Sequence, residues 1–394
     1  MFTLNHWFHA YPELPFQEGR TAARITQHLR QLQAFEIFPH IGGHGVAAVL
    51  KNGTGPSVLL RANIDAQPIR ERTGLKYASK VRMRGGLNDV KLVMHACGHD
   101  MNITALLGAA DPIAAAREFW KGTLVLVFQP ATDKSRGARE MIRDGLFRKV
   151  PVPDYLIGAH VIPLRAGLIG TKCTPIVSSS DSFHLYIPGR PSFASAPHTS
   201  IDPIVHAAST IMRLQTVVSR EVDPLDSAVV TVSAIEGGHA ENMIPSHADL
   251  KLNISAGSLE SRARVLDAVG RVIQAEASAS ANPIRLILTP TNQFPLLVDD
   301  AAMNTELEKA FSEVFGRSIG RKYDNDIPRL QGSEDFSILA TEVGKPCAFF
   351  LERKQGTLPE LPGLHSPFLA IDVDRTFSAA MDGYVVSALT FLGH

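Results

Sequence analysis

Apolar residues recur along this chain in two different rhythms, and the change between them falls near the middle. From about residue 20 to 175, short apolar runs at Ser57–Leu60, Leu124–Phe128 and Tyr155–Gly158 alternate with helix-like segments. That alternation predicts an α/β domain around a central mixed, largely parallel sheet. The segment after Asp100 sets Ile103, Leu106, Leu107, Ala110 and Ile113 on one face at helical spacing, so a helix should pack on that sheet.

Beyond the polar stretch Ser178–Ser180 the order becomes strand (Phe183–Ile187), helix, strand (Ala228–Ile235), strand (Ala248–Ile254), helix, strand (Ile284–Leu288). This is the split, ferredoxin-like β-α-β-β-α-β arrangement. Its first helix should open with Asp202 as N-cap and Pro203 in the first turn, and bury Ile204, Ala207, Ala208, Ile211 and Leu214. The second should open at Ser258 and bury Val265, Leu266, Val269, Val272 and Ile273. The expected organisation is therefore a first domain built from 1–177 and 291–394, interrupted by an inserted α+β lid over 178–290.

At 394 residues the chain exceeds the size at which one core stops growing, which agrees with two domains. Lys plus Arg equals Asp plus Glu, 39 each, so no basic field exists to attract nucleic acid or an anionic membrane, and a small molecule is the expected partner. The N-terminus lacks the basic start, apolar core and cleavage site of a signal peptide, and no apolar run reaches the length of a membrane span. A cytoplasmic location is expected. Three cysteines, Cys97, Cys173 and Cys347, fit a reducing compartment better than a disulfide framework, which leaves Cys97 available as a ligand.

The chemistry concentrates in HACGHD, His95–Asp100. In extended chain Cys97 and His99 would point to one side, where a thiolate and an imidazole suit a borderline-soft divalent ion. Further candidates follow other strands, where open α/β sheets place their sites. Asp65 comes after LLRAN, Asp133 after LVLVFQPA and His160 after YLIGA, while His365 sits in the Pro- and Gly-broken loop PGLHSPF.

These residues and their order resemble the family of aminoacylases, hippurate hydrolases and auxin-conjugate amidohydrolases. The resemblance spans nearly the whole chain through HAYPELPFQE, LLRANIDAQPI, HACGHD, VFQPA, IGAHV, APHTSIDPI, LQTVVSRE, NMIP, GSEDF and LHSPF. It implies a metallopeptidase-type catalytic domain holding two divalent ions, which the donor types would allow to be zinc, manganese, cobalt or nickel. It further implies that Cys97 bridges the ions while His99, Asp133, His160 and His365 complete the shell, that Asn242 binds substrate from the lid, and that the lid forms a homodimer through its helix and edge strand.

The sequence departs from that family at reactive positions. Where the family has QPAEE, with the first Glu as general base and the second as ligand, this chain has Thr132 and Asp133. Thr cannot accept a proton at neutral pH. Phe193 stands where a lid histidine would stabilise the oxyanion, Asn63 replaces an Asp, and Ser255 replaces an Arg. Loss of a general base typically costs about 10²–10⁴ in rate and loss of an oxyanion donor roughly 10²–10³. Glu334, His198 and His239 border the family's pocket and are the candidates for a substitute proton carrier; His198 is equally a residue that fixes the lid's turn and contacts substrate. Two readings follow: a metal-dependent amidohydrolase of an N-acyl amino acid or related amide with an atypical proton shuttle, or a homologue that binds such a ligand without hydrolysis or performs acyl transfer, elimination or rearrangement.

Overall fold

A computed structural model of the protein describes residues 1–85, 89–162, 167–172, 175–283, 285–316, 322–330, 332–353 and 362–393. The chain divides into two compact units, one of Met1–Ile176, Val298–Pro328 and Asp335–His394, the other of Val177–Leu297 and Arg329–Glu334.

The first unit is α/β. Its sheet has eight strands in the order Glu36–Ile41, Gly45–Asn52, Gly122–Gln129, Ser57–Asn63, Tyr155–Ile162, Cys347–Arg353, Leu168–Gly170, Lys322–Asp324. The central pairings are parallel, with Ser57–Asn63 lying between Gly122–Gln129 and Tyr155–Ile162, and Tyr155–Ile162 beside Cys347–Arg353. Antiparallel pairs flank them, so the sheet is mixed. Ser57–Asn63 is buried at every position, as expected of a strand covered on both faces. The helix His99–Ala115 buries all five of the expected apolar residues and packs against Val373–Phe391. Each fully buried Ile or Leu among them contributes about 1.5–3 kcal/mol.

The second unit is α+β: a four-stranded antiparallel sheet in the order Ala228–Gly237, His247–Ala256, Ser179–Pro188, Ile287–Phe294. Its two helices, Pro203–Glu221 and Leu259–Ala279, begin at the expected caps. Asp202 accepts from the amides of Ile204 and Val205, and Ser258 accepts from that of Ser261. Leu185, Leu250 and Leu252 on the sheet meet Ala207, Leu214, Val265 and Val269 on the helices in one core.

Two details depart from the periodicity. Ala208 is exposed, because the helix turns His206, Ala207, Thr210, Leu214 and Val217 inward instead. The last strand runs Ile287–Phe294 rather than 284–288, with Tyr186 opposite Ile287 and Ser180 opposite Phe294; the alternation of the preceding residues does not mark its start, and Ile284 lies outside the described residues.

Candidate metal centre

The carboxyl ends of the parallel strands place the site. Asn63 and Gln129 are in register, so the loops that follow them, carrying Asp65 on one and Thr132 and Asp133 on the other, leave the sheet side by side. The second loop is tightly wound, since Ala131 (φ +50°) and Ser135 (φ +51°) both adopt left-handed backbone around the short turn Thr132–Lys134. Non-glycine residues in that region cost roughly 1–3 kcal/mol each and cluster where function over-determines the backbone.

Cys97 and His99 come together by a different route from the extended one expected. The chain turns at Gly98 (φ +76°), and His99 is the first residue of its helix. A side chain on Gly98 would press on Ile371 Cδ1 at 2.9 Å and Val161 Cβ at 3.2 Å, so both the sign of φ and the space demand glycine. His160 also differs: it lies inside the strand Tyr155–Ile162 rather than beyond it.

The donor atoms of Cys97, His99 and His160 lie within 4.8 Å of one another, and all three residues are buried. Nε2 of His160 stands 3.5 Å from Cys97 Sγ. His99 donates Nδ1–H to the Asp65 carbonyl at 2.7 Å, and His160 donates Nδ1–H to the Val161 carbonyl at 2.7 Å. Carbonyls only accept, so each ring carries a hydrogen on Nδ1 and leaves Nε2 as the nitrogen through which it would bind a metal. Burial alone would raise the Cys97 thiol, but the imidazoles of His160, His365 and His99 hold it well below the usual thiol range. A thiolate is the form that binds metal.

His365 and Asp133 border this group. His365 is exposed, has left-handed backbone (φ +63°) and donates its amide to Ala96 O at 2.7 Å. Its bond with Cys97 raises its pKa. Asp133 is part-buried; burial and then the charge of Asp65 push its carboxyl up to about 6. Glu18, fully buried and accepting from the Ala131 amide at 2.9 Å, is likewise pushed up to about 8 by burial and by Asp65. A thiolate, two imidazoles anchored through Nδ1 and crowded carboxylates together form a donor set that a divalent cation would satisfy.

Thr132 belongs to a different network. Its Oγ1 accepts from Arg61 Nη2 at 3.0 Å and from Gln129 Nε2 at 3.2 Å. Arg61 is fully buried, and its Nε donates to Gln129 Oε1 at 2.9 Å and its Nη2 approaches Asp335 Oδ1 at 3.4 Å. Of the other predicted site residues, Asn242 and His198 are exposed residues of the second unit, and Glu334, 2% exposed, falls in that unit as well. Phe193 is 71% exposed there.

Motif reading passed over Arg61 and Gln67. Each left a signal: an arginine inside the apolar run LLRAN, and an amide between Ala66 and Pro68 in the loop that carries Asp65.

The model of peptidase family M20/M25/M40 matches residues 59–380. The hippurate hydrolase of Campylobacter jejuni is 35% identical over 393 residues, covering 99% of this chain and 96% of that protein. An IAA-amino acid hydrolase (ILR1-like 2) of Arabidopsis thaliana is 33% identical over 379 residues, 95% of this chain and 81% of its own length. The crystal structure of Bacillus subtilis YXEP, described as a dinuclear metal binding peptidase from the M20 family, superposes with a TM-score of 0.79 at 28% identity, covering 98% of this chain and 96% of that one.

Proposed function

This chain belongs to peptidase family M20/M25/M40, and we propose that it is a metal-dependent amidohydrolase that cleaves the amide of an N-acyl amino acid or a related small amide. The observation that carries this reading is the pair of histidines, His99 and His160, whose Nδ1–H groups are committed to backbone carbonyls beside a depressed thiol. Relatives named as a hippurate hydrolase and an IAA-amino acid hydrolase support the substrate class.

In this reading Cys97, His99, Asp133, His160 and His365 hold two divalent ions, which supply Lewis acidity toward the acyl carbonyl and lower the pKa of a water. Asp65 orients the site: its carbonyl fixes the His99 tautomer, and its carboxylate Oδ2 accepts from the Asp133 amide at 2.9 Å. Asn242 and His198 present polar groups to the substrate from the lid. Thr132, bound by two donors, positions the loop, and Glu334 takes the proton-carrying role.

The lid is also proposed as the homodimer surface. Val205 and Met212 on Pro203–Glu221, and Val229 and Ile235 on the strand Ala228–Gly237, are each at least half exposed, and that strand is an edge of its sheet, where backbone groups are open to pairing with another strand.

A second reading is favoured by the place of Thr132 in the Arg61 network: the same scaffold binds an acyl-amino-acid-like ligand without hydrolysing it, or performs acyl transfer, elimination or rearrangement. Hydrolysis of a panel of N-acyl amino acids by metal-loaded wild type, Cys97→Ser and Thr132→Glu separates the two. Wild-type turnover lost in Cys97→Ser supports the amidohydrolase; turnover seen only in Thr132→Glu supports the alternative.

A further inference from the structure

We propose that Gln67 is a positioning residue for the metal centre, tying the carboxylate of Asp133 to the segment that carries Cys97 and His99. This rests on the reading of that cluster as a metal site.

Gln67 is 2% exposed and uses both ends of its side-chain amide. Nε2 donates to Asp133 Oδ2 at 2.9 Å, and Oε1 accepts from the Ala96 amide at 2.8 Å. Its backbone is anchored separately, exchanging two hydrogen bonds of 3.0 Å with Met94. The side chain is therefore held at its base while its tip spans two chain segments 37 residues apart, the difference between positions 133 and 96.

The loop grips Asp133 twice. Asp65 takes its backbone amide and Gln67 takes one carboxylate oxygen. Two residues apart in the loop, they fix both the main chain and the rotamer of the same aspartate. Ala96 carries the linkage further, because its N–H goes to Gln67 while its carbonyl accepts the His365 amide at 2.7 Å. Through one side chain and one peptide unit, Asp133, His365 and the residue before Cys97 are set in a single frame.

An amide suits the place for a specific reason. A donor must meet Asp133 and an acceptor must meet Ala96 N–H, which the two ends of one side-chain amide provide at once, and Asn, the other amide, is one methylene shorter. A carboxylate there would accept from Ala96 but repel Asp133. Partners that orient metal ligands in this way typically govern affinity 10- to 100-fold.

The test is titration of the metal-free full chain with Co²⁺, whose thiolate charge-transfer band reports Cys97 and whose binding curve resolves the two ions. The expected result is that Gln67→Leu and Gln67→Met each weaken one of the two ions about 10- to 100-fold and leave the other ion and the charge-transfer band unchanged. In an Asp133→Ala background Gln67→Leu should then have no further effect, the signature of coupled residues in a double-mutant cycle. Equal weakening of both ions, no weakening, or an undiminished effect in the Asp133→Ala background overturns the proposal. Should Gln67→Leu not fold, the similarly sized Gln67→Met carries the same comparison. Failure of the wild type itself to bind Co²⁺, or binding indifferent to Cys97→Ser, instead brings down the metal reading and this inference with it.

Discussion

Arg61 Nη2 donates a 3.0 Å hydrogen bond to Thr132 Oγ1, so the threonine beside Asp133 is joined to a fully buried guanidinium. With Gln129 also donating to that oxygen, both acceptor positions of the hydroxyl are taken. Thr132 accordingly serves the architecture of the loop. The same network includes Tyr384, whose hydroxyl donates to the Arg61 carbonyl at 2.8 Å, and Asp335, which accepts from Gln129 at 2.6 Å and from the Ala138 amide at 3.1 Å.

Thr132→Val keeps the shape and removes the acceptor. It should destabilise the protein by about 1–3 kcal/mol, the cost of depriving buried donors of a partner, and lower kcat/KM for any hydrolysed amide by much less than the loss of a general base would. Urea unfolding and steady-state kinetics check both halves. A rate loss of the order of 10²–10⁴, the size expected for a general base, would put Thr132 back on the proton path.

Cys97→Ser replaces the thiolate with a hydroxyl that stays protonated at neutral pH. Metal content measured by elemental analysis after dialysis should fall, and hydrolysis with it. The apo fold should be retained, because the Gly98 turn and the helix that follows do not depend on the sulfur. Retention of full metal content would remove Cys97 from the ligand set.

His9 predicts a pH dependence of stability. Burial opposes its charge, but hydrogen bonds and charge from Asp100 (2.7 Å) and Glu71 (3.0 Å) outweigh it and raise the imidazole from 6.5 to about 10. The folded state holds the proton more tightly than the unfolded one, so the stabilisation is complete below pH 6.5 and is lost as pH rises toward 10. In metal-free protein the stability gap between wild type and His9→Gln should therefore be largest near pH 6 and shrink at pH 10. Denaturant midpoints across that range measure it, and a constant gap would contradict the assignment.

Charges placed on the exposed apolar positions of the lid should break a homodimer without unfolding it. Met212, 71% exposed, and Val229, 52% exposed, tolerate polar replacement on their own helix and strand. Met212→Asp combined with Val229→Asp should convert a dimer to monomer in sedimentation velocity while far-UV circular dichroism stays that of a folded chain. A wild type that sediments as a monomer would remove the proposal.

Much of the fold was legible along the chain. The period-two and period-3.6 patterns disclosed the α/β and α+β units because each buries one continuous apolar face, and Asp202 and Ser258 announced their helices because capping is a local hydrogen bond. Where the signal depended on a neighbour, it failed: Ala208 faces solvent though its side chain is apolar, and the strand expected at 284–288 begins later, at Ile287.

The sequence by itself determined the residue types that could hold a metal and their order along the chain. Only the tertiary structure decided how they meet. Cys97 reaches His99 through a left-handed glycine rather than an extended strand, and the histidine tautomers depend on the carbonyls of Asp65 and Val161. Thr132 depends on Arg61, 71 positions away, and Asp133 on Gln67, 66 positions away. Side-chain direction and hydrogen-bond pairing across such separations are set by the register of parallel strands, and that register is a property of the folded sheet, which no local pattern encodes.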